Sequence, residues 1–201
     1  LTADGNVELA GTNIESKTST INVKAHNLTA KSLNANKTKF LANKTITVNA
    51  QNNLNAVQAR FETDEKLLLS ATNILTFDNV FASSASSDAE QSLNVDAGYI
   101  SIINNSELVA KGALKINAMA LNGYYKISDS VFNSTGPLAL TSKDEGQLVN
   151  SELNADKNIS IQAKSLTATN SKLNTKDKLA INAQTATISQ SELNADQSIE
   201  V

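Results

Sequence analysis

The C-terminal third of the chain repeats every 20 residues. Residues 150–169 read NSELNADKNISIQAKSLTAT, residues 170–189 read NSKLNTKDKLAINAQTATIS, and residues 190–201 read QSELNADQSIEV. The apolar positions of the three segments coincide, so that Leu153, Leu173 and Leu193 align. A fixed period of this length is typical of repeat architectures, in which each unit buries its apolar side only against its neighbours.

Two apolar series extend the repeat towards the N-terminus. The first is an aliphatic pair that recurs mostly every 20 or 21 residues: Val7/Leu9, Ile21/Val23, Ile46/Val48, Leu67/Leu69, Leu93/Val95, Leu114/Ile116, Leu138/Leu140, Ile159/Ile161, Leu179/Ile181 and Ile199/Val201. The second is an anchor about six residues earlier: Phe40, Phe61, Leu108, Phe132, Leu153, Leu173 and Leu193. Phe81 is assigned to the same series, although it lies twelve residues before Leu93. Only the interval from Val7 to Ile21 is short, at 14 residues. Together the series predict about nine turns.

Alternation within one repeat indicates strands rather than helices. The apolar residues Ile159, Ile161 and Ala163 stand at odd-numbered positions. Leu166 and Ala168 stand at even-numbered positions, and Leu173 is odd-numbered again, so the parity of the apolar positions changes twice. A period of two marks a strand with one buried face, and each change of parity marks a bend. The sequence therefore predicts an all-β fold, a single-stranded parallel β-helix with three short strands per turn of about 20–21 residues. Strand chirality favours right-handed winding.

The whole chain, residues 1–201, reads as one β-helix segment and as an internal fragment of a longer chain. Inserted loops are predicted near residues 28–39, 83–92 and 121–130, where the repeat is interrupted. Asn154, Asn174 and Asn194 are predicted to lie at one bend, where a stacked ladder of amides is one interpretation and simple preference of Asn for turns is the other.

Composition excludes several classes of function. The formal net charge is −3, with acids and lysines interspersed, which does not fit a nucleic-acid partner. No apolar run is long enough for a transmembrane segment. Cysteine is absent and His26 is the single histidine, so thiolate and multi-histidine metal sites are excluded and no cofactor is expected. His26 is interpreted as a solvated turn residue.

Catalysis would require a cluster of acids, or an acid beside a basic group, on one face of the helix. The acids are scattered, and the equivalent positions Glu152, Lys172 and Glu192 alternate in sign, as do Asp156 and Lys176. Such columns are interpreted as exposed charge pairs. We therefore expect no enzymatic activity and no catalytic residue, with a carbohydrate-active β-helix enzyme as the least favoured alternative.

The stretch GNVELAGTNI at residues 5–14 and the recurring SELNAD…ISI units resemble filamentous-haemagglutinin repeats of two-partner-secretion exoproteins. The resemblance covers essentially the whole chain. It implies a virulence-associated adhesin, or a contact-dependent growth inhibition protein that delivers a toxin. It further implies a location that is secreted or on the cell surface of a Gram-negative bacterium, with an outer-membrane transporter as partner during secretion.

Within this interpretation the chain is a non-catalytic, monomeric shaft that projects a distal adhesive or toxic module. The alternative is that the segment itself binds a receptor on a host or bacterial cell surface. Candidate contacts for such a receptor are Tyr124, Tyr125 and Lys126, because tyrosine is an efficient contact residue. In an extended segment the two tyrosines point to opposite faces, so one is expected inside and the other exposed.

Overall fold

The structure is a computed structural model that describes residues 1, 4, 6–10, 13–16, 21–25, 27–31 and 38–201. Side chains are described for Leu1, Asp4, Val23 and residues 38–201. Within these residues there are 25 strands, β1–β25 in chain order, and no helix. Every strand pairing is parallel. The all-β parallel solenoid predicted from the sequence is confirmed, while right-handed winding stays a prediction.

The strands stack in three columns, named A, B and C. Column A consists of β3 (Ile21–Ala25), β6 (Ile46–Ala50), β9 (Leu67–Ala71), β12 (Leu93–Ala97), β15 (Leu114–Ala118), β18 (Leu138–Ser142), the first parts of β21 (Ile159–Thr169) and β23 (Lys178–Ser189), and β25 (Ser198–Glu200). Column B consists of β1 (Asn6–Ala10), β4 (Asn27–Lys31), β7 (Leu54–Val57), β10 (Ile74–Asp78), β13 (Tyr99–Ile103), β16 (Tyr125–Ser128), β19 (Glu145–Val149) and the second parts of β21 and β23. Column C consists of β2 (Asn13–Ser16), β5 (Lys39–Ala42), β8 (Arg60–Thr63), β11 (Phe81–Ser84), β14 (Glu107–Ala110), β17 (Val131–Ser134), β20 (Glu152–Ala155), β22 (Lys172–Thr175) and β24 (Glu192–Ala195).

The chain visits columns A, B and C in that order and then begins the next turn, for about eight turns. Equivalent positions of successive turns pair in register, as Leu153, Leu173 and Leu193 do in column C. Successive parallel strands lie about 4.8 Å apart, so the described turns form a rod roughly 40 Å long. The predicted three strands per turn are confirmed.

The core is a continuous stack of inward-facing side chains along the axis of the rod. Inward and outward positions alternate along each strand, as in β12, where Leu93, Val95 and Ala97 are buried. Aromatic rings stack on successive turns, with Phe40 and Phe61 4.7 Å apart between ring centroids. Because a single turn leaves its apolar face open, each turn depends on its neighbours for burial as well as for ladder hydrogen bonds.

Two register assignments made from the sequence are wrong. Val7 pairs with Leu28 in column B, so Val7 and Leu9 are not the first aliphatic pair of column A, and the short interval of 14 residues disappears. Phe81 is not an inward anchor, because Ala82 is the register partner of Phe61 and Phe81 is the partner of Arg60 on the outer face. The Arg60 guanidinium lies over the Phe81 ring, 4.3 Å from its centroid, which gives the ring an outward position.

Most of the described corners between columns B and C have two residues and are built alike. All eight non-glycine residues with positive φ that the described ranges contain lie at these corners, and their φ angles are between 49° and 61°: Gln58, Asn79, Asn104, Asn105, Asp129, Asn150, Asn170 and Gln190. Asn and Asp tolerate this left-handed conformation better than most residues. The chain therefore turns sharply after column B and enters column C in a fixed register.

A buried serine follows several of these corner residues. Ser171 is typical: its hydroxyl donates to the carbonyl of Thr169 at 2.9 Å and accepts the backbone N–H of Ser151 at 3.2 Å. Ser151 repeats the arrangement one turn below, with Val149 and the N–H of Ser130. These serines satisfy backbone groups that the sharp turn takes out of the strand ladder. Sequence reasoning did not identify them.

Connections of all three kinds vary in length. Most connections from column B to column C have two residues, but 104–106 has three and 32–38 has seven. The connection 85–92 from column C to column A has eight residues where its neighbours 64–66 and 111–113 have three, at the position of the insertion predicted near 83–92. The connection 119–124 from column A to column B is also long, but residues 125–128 of the predicted loop 121–130 form β16. In the predicted loop 28–39, residues 28–31 belong to β4, and residues 32–37 lie outside the described ranges.

Candidate functional site

The predicted contact residues lie where the connection 119–124 enters β16. Tyr124 is 42% exposed and Lys126 is exposed, whereas Tyr125 is fully buried in the core. The prediction that one tyrosine faces inward and the other outward is confirmed. Tyr125 therefore offers no surface to a partner in this structure, and the predicted contact rests on Tyr124 and Lys126.

Backbone contacts hold the connection 119–124 tightly against the turn below. The N–H of Met119 donates to the carbonyl of Ala97 on the turn below at 2.7 Å, and within the connection the N–H of Gly123 donates to the carbonyl of Ala120 at 2.8 Å. A Cβ on Gly98 would lie 2.8 Å from the carbonyl oxygen of Asn73, and one on Gly123 would lie 2.8 Å from that of Gly98. Glycine at both positions permits the close approach.

Several large apolar side chains are exposed at this corner, namely Ile74, Met119, Leu121 and Tyr124. Together with the half-buried Tyr99 we call them the corner patch. Met119 is 61% exposed and Leu121 is 83% exposed, and Ile74 and Tyr124 are each 42% exposed. The rings of Tyr99 and Tyr124 meet at 5.3 Å between centroids, tilted by 49°. Ile74 is the register partner of Tyr99 on the turn below. Val131, on column C, is the one other such residue within the described residues away from either chain end.

A groove of about 380 Å³ runs beside the patch, along the corner between columns A and B. We call it the corner groove. Small residues line it, among them Ala71, Ala97, Gly98 and Ala120, together with the polar side chains of Asn49, Ser70, Thr72 and Asp96. Met119 belongs to both features, because it lines the groove and is largely exposed. The patch therefore protrudes directly next to a recess.

The outer face of column C carries a ladder of amides. Asn154 donates to Asn133, Asn174 to Asn154, and Asn194 to Asn174, with nitrogen–oxygen distances of 2.9, 2.9 and 2.8 Å. The ladder predicted from the sequence is confirmed, but its residues lie within strands β17, β20, β22 and β24 and not at a bend. These asparagines line one side of a shallow groove of about 570 Å³ on column C.

Charged side chains pair across turns on the outer faces. Lys172 lies 3.3 Å from Glu192, and Lys176 lies 2.6 Å from Asp156, between side-chain nitrogen and oxygen. The hydrogen bond with Asp156 raises the pKa of Lys176. Both pairs are largely exposed, which is the arrangement predicted for the alternating columns, and each is worth little in stability.

In the described ranges no group of three or more His, Cys, Asp or Glu side chains has the geometry to hold a metal ion. His26 lies outside the described residues. The arrangement presents contact surfaces, namely the corner patch with its groove and the amide ladder.

Comparison with known proteins finds no matching family model, no matching curated protein and no matching solved structure. Among the residues that the structure describes, no helix has the length and hydropathy needed to cross a membrane.

The inserted connection 85–92 is a second irregular feature, and it is held in place by Asp88. The Asp88 carboxylate accepts the backbone N–H groups of Glu90 and Gln91 at 2.9 and 3.0 Å and lies 2.8 Å from the Lys66 ammonium. The bond with Lys66, followed by those two backbone bonds, lowers the pKa of Asp88 to about 2. The connection is thus a structured cap on the corner and presents no exposed large apolar side chain.

Proposed function

We propose that the chain is a non-catalytic shaft segment of a large exoprotein, secreted or displayed on the surface of a Gram-negative bacterium, where it projects a distal adhesive or toxic module. The observation that carries the proposal is the continuity of side-chain ladders along the axis of the rod. Besides the amide ladder of column C, a second ladder at the corner between columns B and C links Asn170 to Asn150 and Asn150 to Asp129.

Such ladders add links between turns to the backbone hydrogen bonds. Each turn of the rod is tied to the next through three columns of parallel strands, a stack of core side chains and these polar bonds. A structure of this kind grows by stacking further turns on those already formed. Spanning a distance is a role that such a rod would fill without a bound ligand. The resemblance to filamentous-haemagglutinin repeats supports the extracellular setting, with an outer-membrane transporter as the partner during export.

Surface location is tested by thiol labelling of the complete protein in intact producing cells. The 201 residues contain no cysteine, so Ser160→Cys places a single exposed thiol in this segment, and Ile161→Cys places a buried one beside it. A membrane-impermeant maleimide is expected to label residue 160 on intact cells and residue 161 only after denaturation. Labelling of residue 160 only in lysed cells would contradict the surface location.

The spacer role is tested by changing the length of the rod. Removal of residues 170–189 deletes one turn and joins equivalent positions, so that the register of every column is kept. We expect the rod to shorten by about 4.8 Å with adhesion or toxin delivery by the complete protein retained. Loss of that activity from a folded, exported deletion variant would show that the segment does more than span distance.

A further inference from the structure

We infer that Asn122 is a site of spontaneous chemical modification, in which the backbone nitrogen of Gly123 attacks the side-chain amide of Asn122 and residue 122 becomes an acid. The folded connection 119–124 holds this reaction back, and local opening of the connection releases it. The inference goes beyond the role of a spacer, because it assigns a modification site to the connection that carries most of the corner patch.

The chemistry follows from the sequence at this position. Asn122–Gly123 is the one Asn–Gly pair in the 201 residues. The Gly123 nitrogen gives up its proton and bonds to the side-chain carbonyl carbon of Asn122, while the side-chain nitrogen takes up a proton and leaves as ammonia. Water then opens the resulting five-membered imide at either carbonyl, which gives aspartate or isoaspartate. Because glycine has no side chain to hinder its nitrogen, Asn before Gly reacts faster than Asn before a larger residue.

The fold itself requires the glycine of this reactive pair. A Cβ on Gly123 would lie 2.8 Å from each of three carbonyl oxygens, those of Gly98, Ala118 and Ala120. A side chain does not fit into that space, so a larger residue after Asn122 would slow the reaction only at the expense of the corner. The close packing therefore keeps the reactive pair in the sequence.

The folded connection holds Asn122 away from the geometry of attack. The N–H of Gly123 donates to the carbonyl of Ala120 at 2.8 Å, which closes a β-turn with Leu121 and Asn122 at its centre. Neither central residue has a positive φ, so the turn is of type I, in which ψ of the third residue is about 0°. The nearly planar imide instead needs the Gly123 nitrogen in line with the Cβ of Asn122. Attack therefore requires a large rotation about the Cα–C bond of Asn122, which breaks the turn.

Two further backbone hydrogen bonds oppose that rotation. The N–H of Met119 donates to the carbonyl of Ala97 on the turn below at 2.7 Å, and the carbonyl of Gly123 accepts the N–H of Asp144 on the turn above at 3.1 Å. The connection is thus tied on both sides. The rate of modification in the folded chain should equal the rate in the open chain multiplied by the fraction of time for which the connection is open.

The loss of ammonia makes the change irreversible, and isoaspartate prevents the connection from closing again. Isoaspartate runs the backbone through the former side chain and so adds one carbon atom to the connection. The three carbonyls around residue 123 leave no room for that atom. Either product also places a negative charge directly beside the exposed Leu121. The modified chain is therefore expected to lose the corner patch in its present form.

The site is tested by incubating the purified 201-residue chain in warm, mildly alkaline buffer, with and without denaturing guanidinium chloride. Conversion of each asparagine is followed by mass spectrometry of peptides. In the denatured chain we expect residue 122 to convert faster than any other asparagine, with Asn158, exposed and followed by isoleucine, as the slow internal reference. In the folded chain we expect residue 122 to convert at least about tenfold more slowly than in the denatured chain.

Gly98→Ala tests whether the corner provides the protection. Its new methyl would lie 2.8 Å from the carbonyl oxygen of Asn73 and would crowd the corner against which the connection packs. Conversion of residue 122 should become faster in the folded variant and stay unchanged in the denatured one. The matched control is Gly112→Ala, which crowds the backbone of Asp88 at a different corner and should leave the rate at residue 122 unchanged.

Circular dichroism verifies that both variants are folded. If Gly98→Ala does not fold, the wild-type chain provides the test at guanidinium concentrations below its global unfolding transition. There the rate at residue 122 should already rise, because local opening exposes less surface than complete unfolding and costs less free energy.

Three results would overturn the inference. Equal rates in the folded and the denatured chain would show that the connection does not protect Asn122. Conversion of Asn158 as fast as that of Asn122 in the denatured chain would show that residue 122 is not a preferred site. An effect of Gly98→Ala no larger than that of Gly112→Ala, or no rise in rate below the global transition, would show that local opening does not release the reaction.

Discussion

The hydroxyl of Tyr125 occupies the space that a side chain on residue 146 would need. Tyr125 and Gly146 are register partners in column B, and a Cβ built on Gly146 would meet the Tyr125 hydroxyl oxygen closer than real Cβ atoms approach. The glycine therefore allows the largest fully buried side chain of the core to fit beneath the next turn.

Replacing Gly146 by alanine is expected to destabilise the chain by about 1–3 kcal/mol, because the added methyl overpacks the core. Urea denaturation followed by circular dichroism measures the change. In a Tyr125→Phe background the cost should be smaller, since the atom closest to the new methyl is gone. Equal costs in both backgrounds would mean that the hydroxyl adds nothing to the conflict between the ring of residue 125 and the new methyl.

Tyr125→Phe on its own is expected to leave the free energy of unfolding at neutral pH unchanged or to raise it by up to about 1–3 kcal/mol. The reason is that the buried hydroxyl has no hydrogen-bond partner among the described residues, and a buried unsatisfied group is costly. A loss of stability, measured by thermal and urea denaturation, would indicate that the hydroxyl has a partner.

The same tyrosine should make the chain sensitive to alkali. Burial raises the pKa of Tyr125 above its ordinary value near 10. Because the pKa of Tyr125 is higher in the folded chain than in the unfolded chain, the free energy of unfolding is not reduced by its ionisation below about pH 10. It falls as the pH rises further. Above about pH 10 the wild type is expected to lose stability more steeply than Tyr125→Phe. Tyr99→Phe, which changes a half-buried tyrosine, should follow the wild type.

The amide ladder predicts a position-dependent loss. Asn174 both donates to Asn154 and accepts from Asn194, so Asn174→Ala removes two side-chain bonds, whereas Asn194→Ala removes one. Each bond contributes about 0.5–1.5 kcal/mol to the free energy of unfolding. We therefore expect Asn174→Ala to be less stable than Asn194→Ala by about the contribution of one bond. Asn182→Ala, at an exposed position outside the ladder, serves as the control in thermal denaturation. Equal losses for residues 174 and 194 would contradict a cooperative ladder.

Leu173 tests the register of the whole column. It is fully buried in β22, so Leu173→Asp places a charge in the core and should cost on the order of 3–5 kcal/mol or prevent folding. The neighbouring Lys172 faces outward, and Lys172→Ala should change the free energy of unfolding by less than about 0.5 kcal/mol. A melting temperature of Leu173→Asp that equals the wild-type value would remove Leu173 from the core.

The architecture was predictable because a solenoid repeats the same physical requirement every turn. The parity of Ile159, Ile161, Leu166 and Leu173 follows directly from one buried face per strand, and the structure buries all four. Phe81 misled the prediction because an aromatic residue is normally read as inward, whereas the Arg60 guanidinium holds this ring on the outer face. Apolar character alone does not distinguish a core contact from a cation–π contact.

The polar details were harder to foresee. Asn154, Asn174 and Asn194 signalled a ladder by their spacing, but the same residue type suits corners, and that preference led to their placement at a bend. The corner serines carry no signal of their own in a sequence rich in Ser and Thr, since their role depends on backbone groups of the adjacent turn. Of the residues in the corner patch, only Tyr124 was predicted from the sequence to be a contact residue. Leu121 was not predicted, because its exposure depends on how the connection 119–124 folds back.

The corner between columns B and C, which is alike in most turns, has a consequence for how such a chain changes over generations. A copying error that gains or loses residues 170–189 adds or removes whole codons and, at the same time, one complete turn with its asparagine, its serine and its strand register. Recombination between neighbouring repeats of the gene would therefore produce longer or shorter proteins that still fold. The length of the rod can then differ between related proteins although the structure of each turn is unchanged.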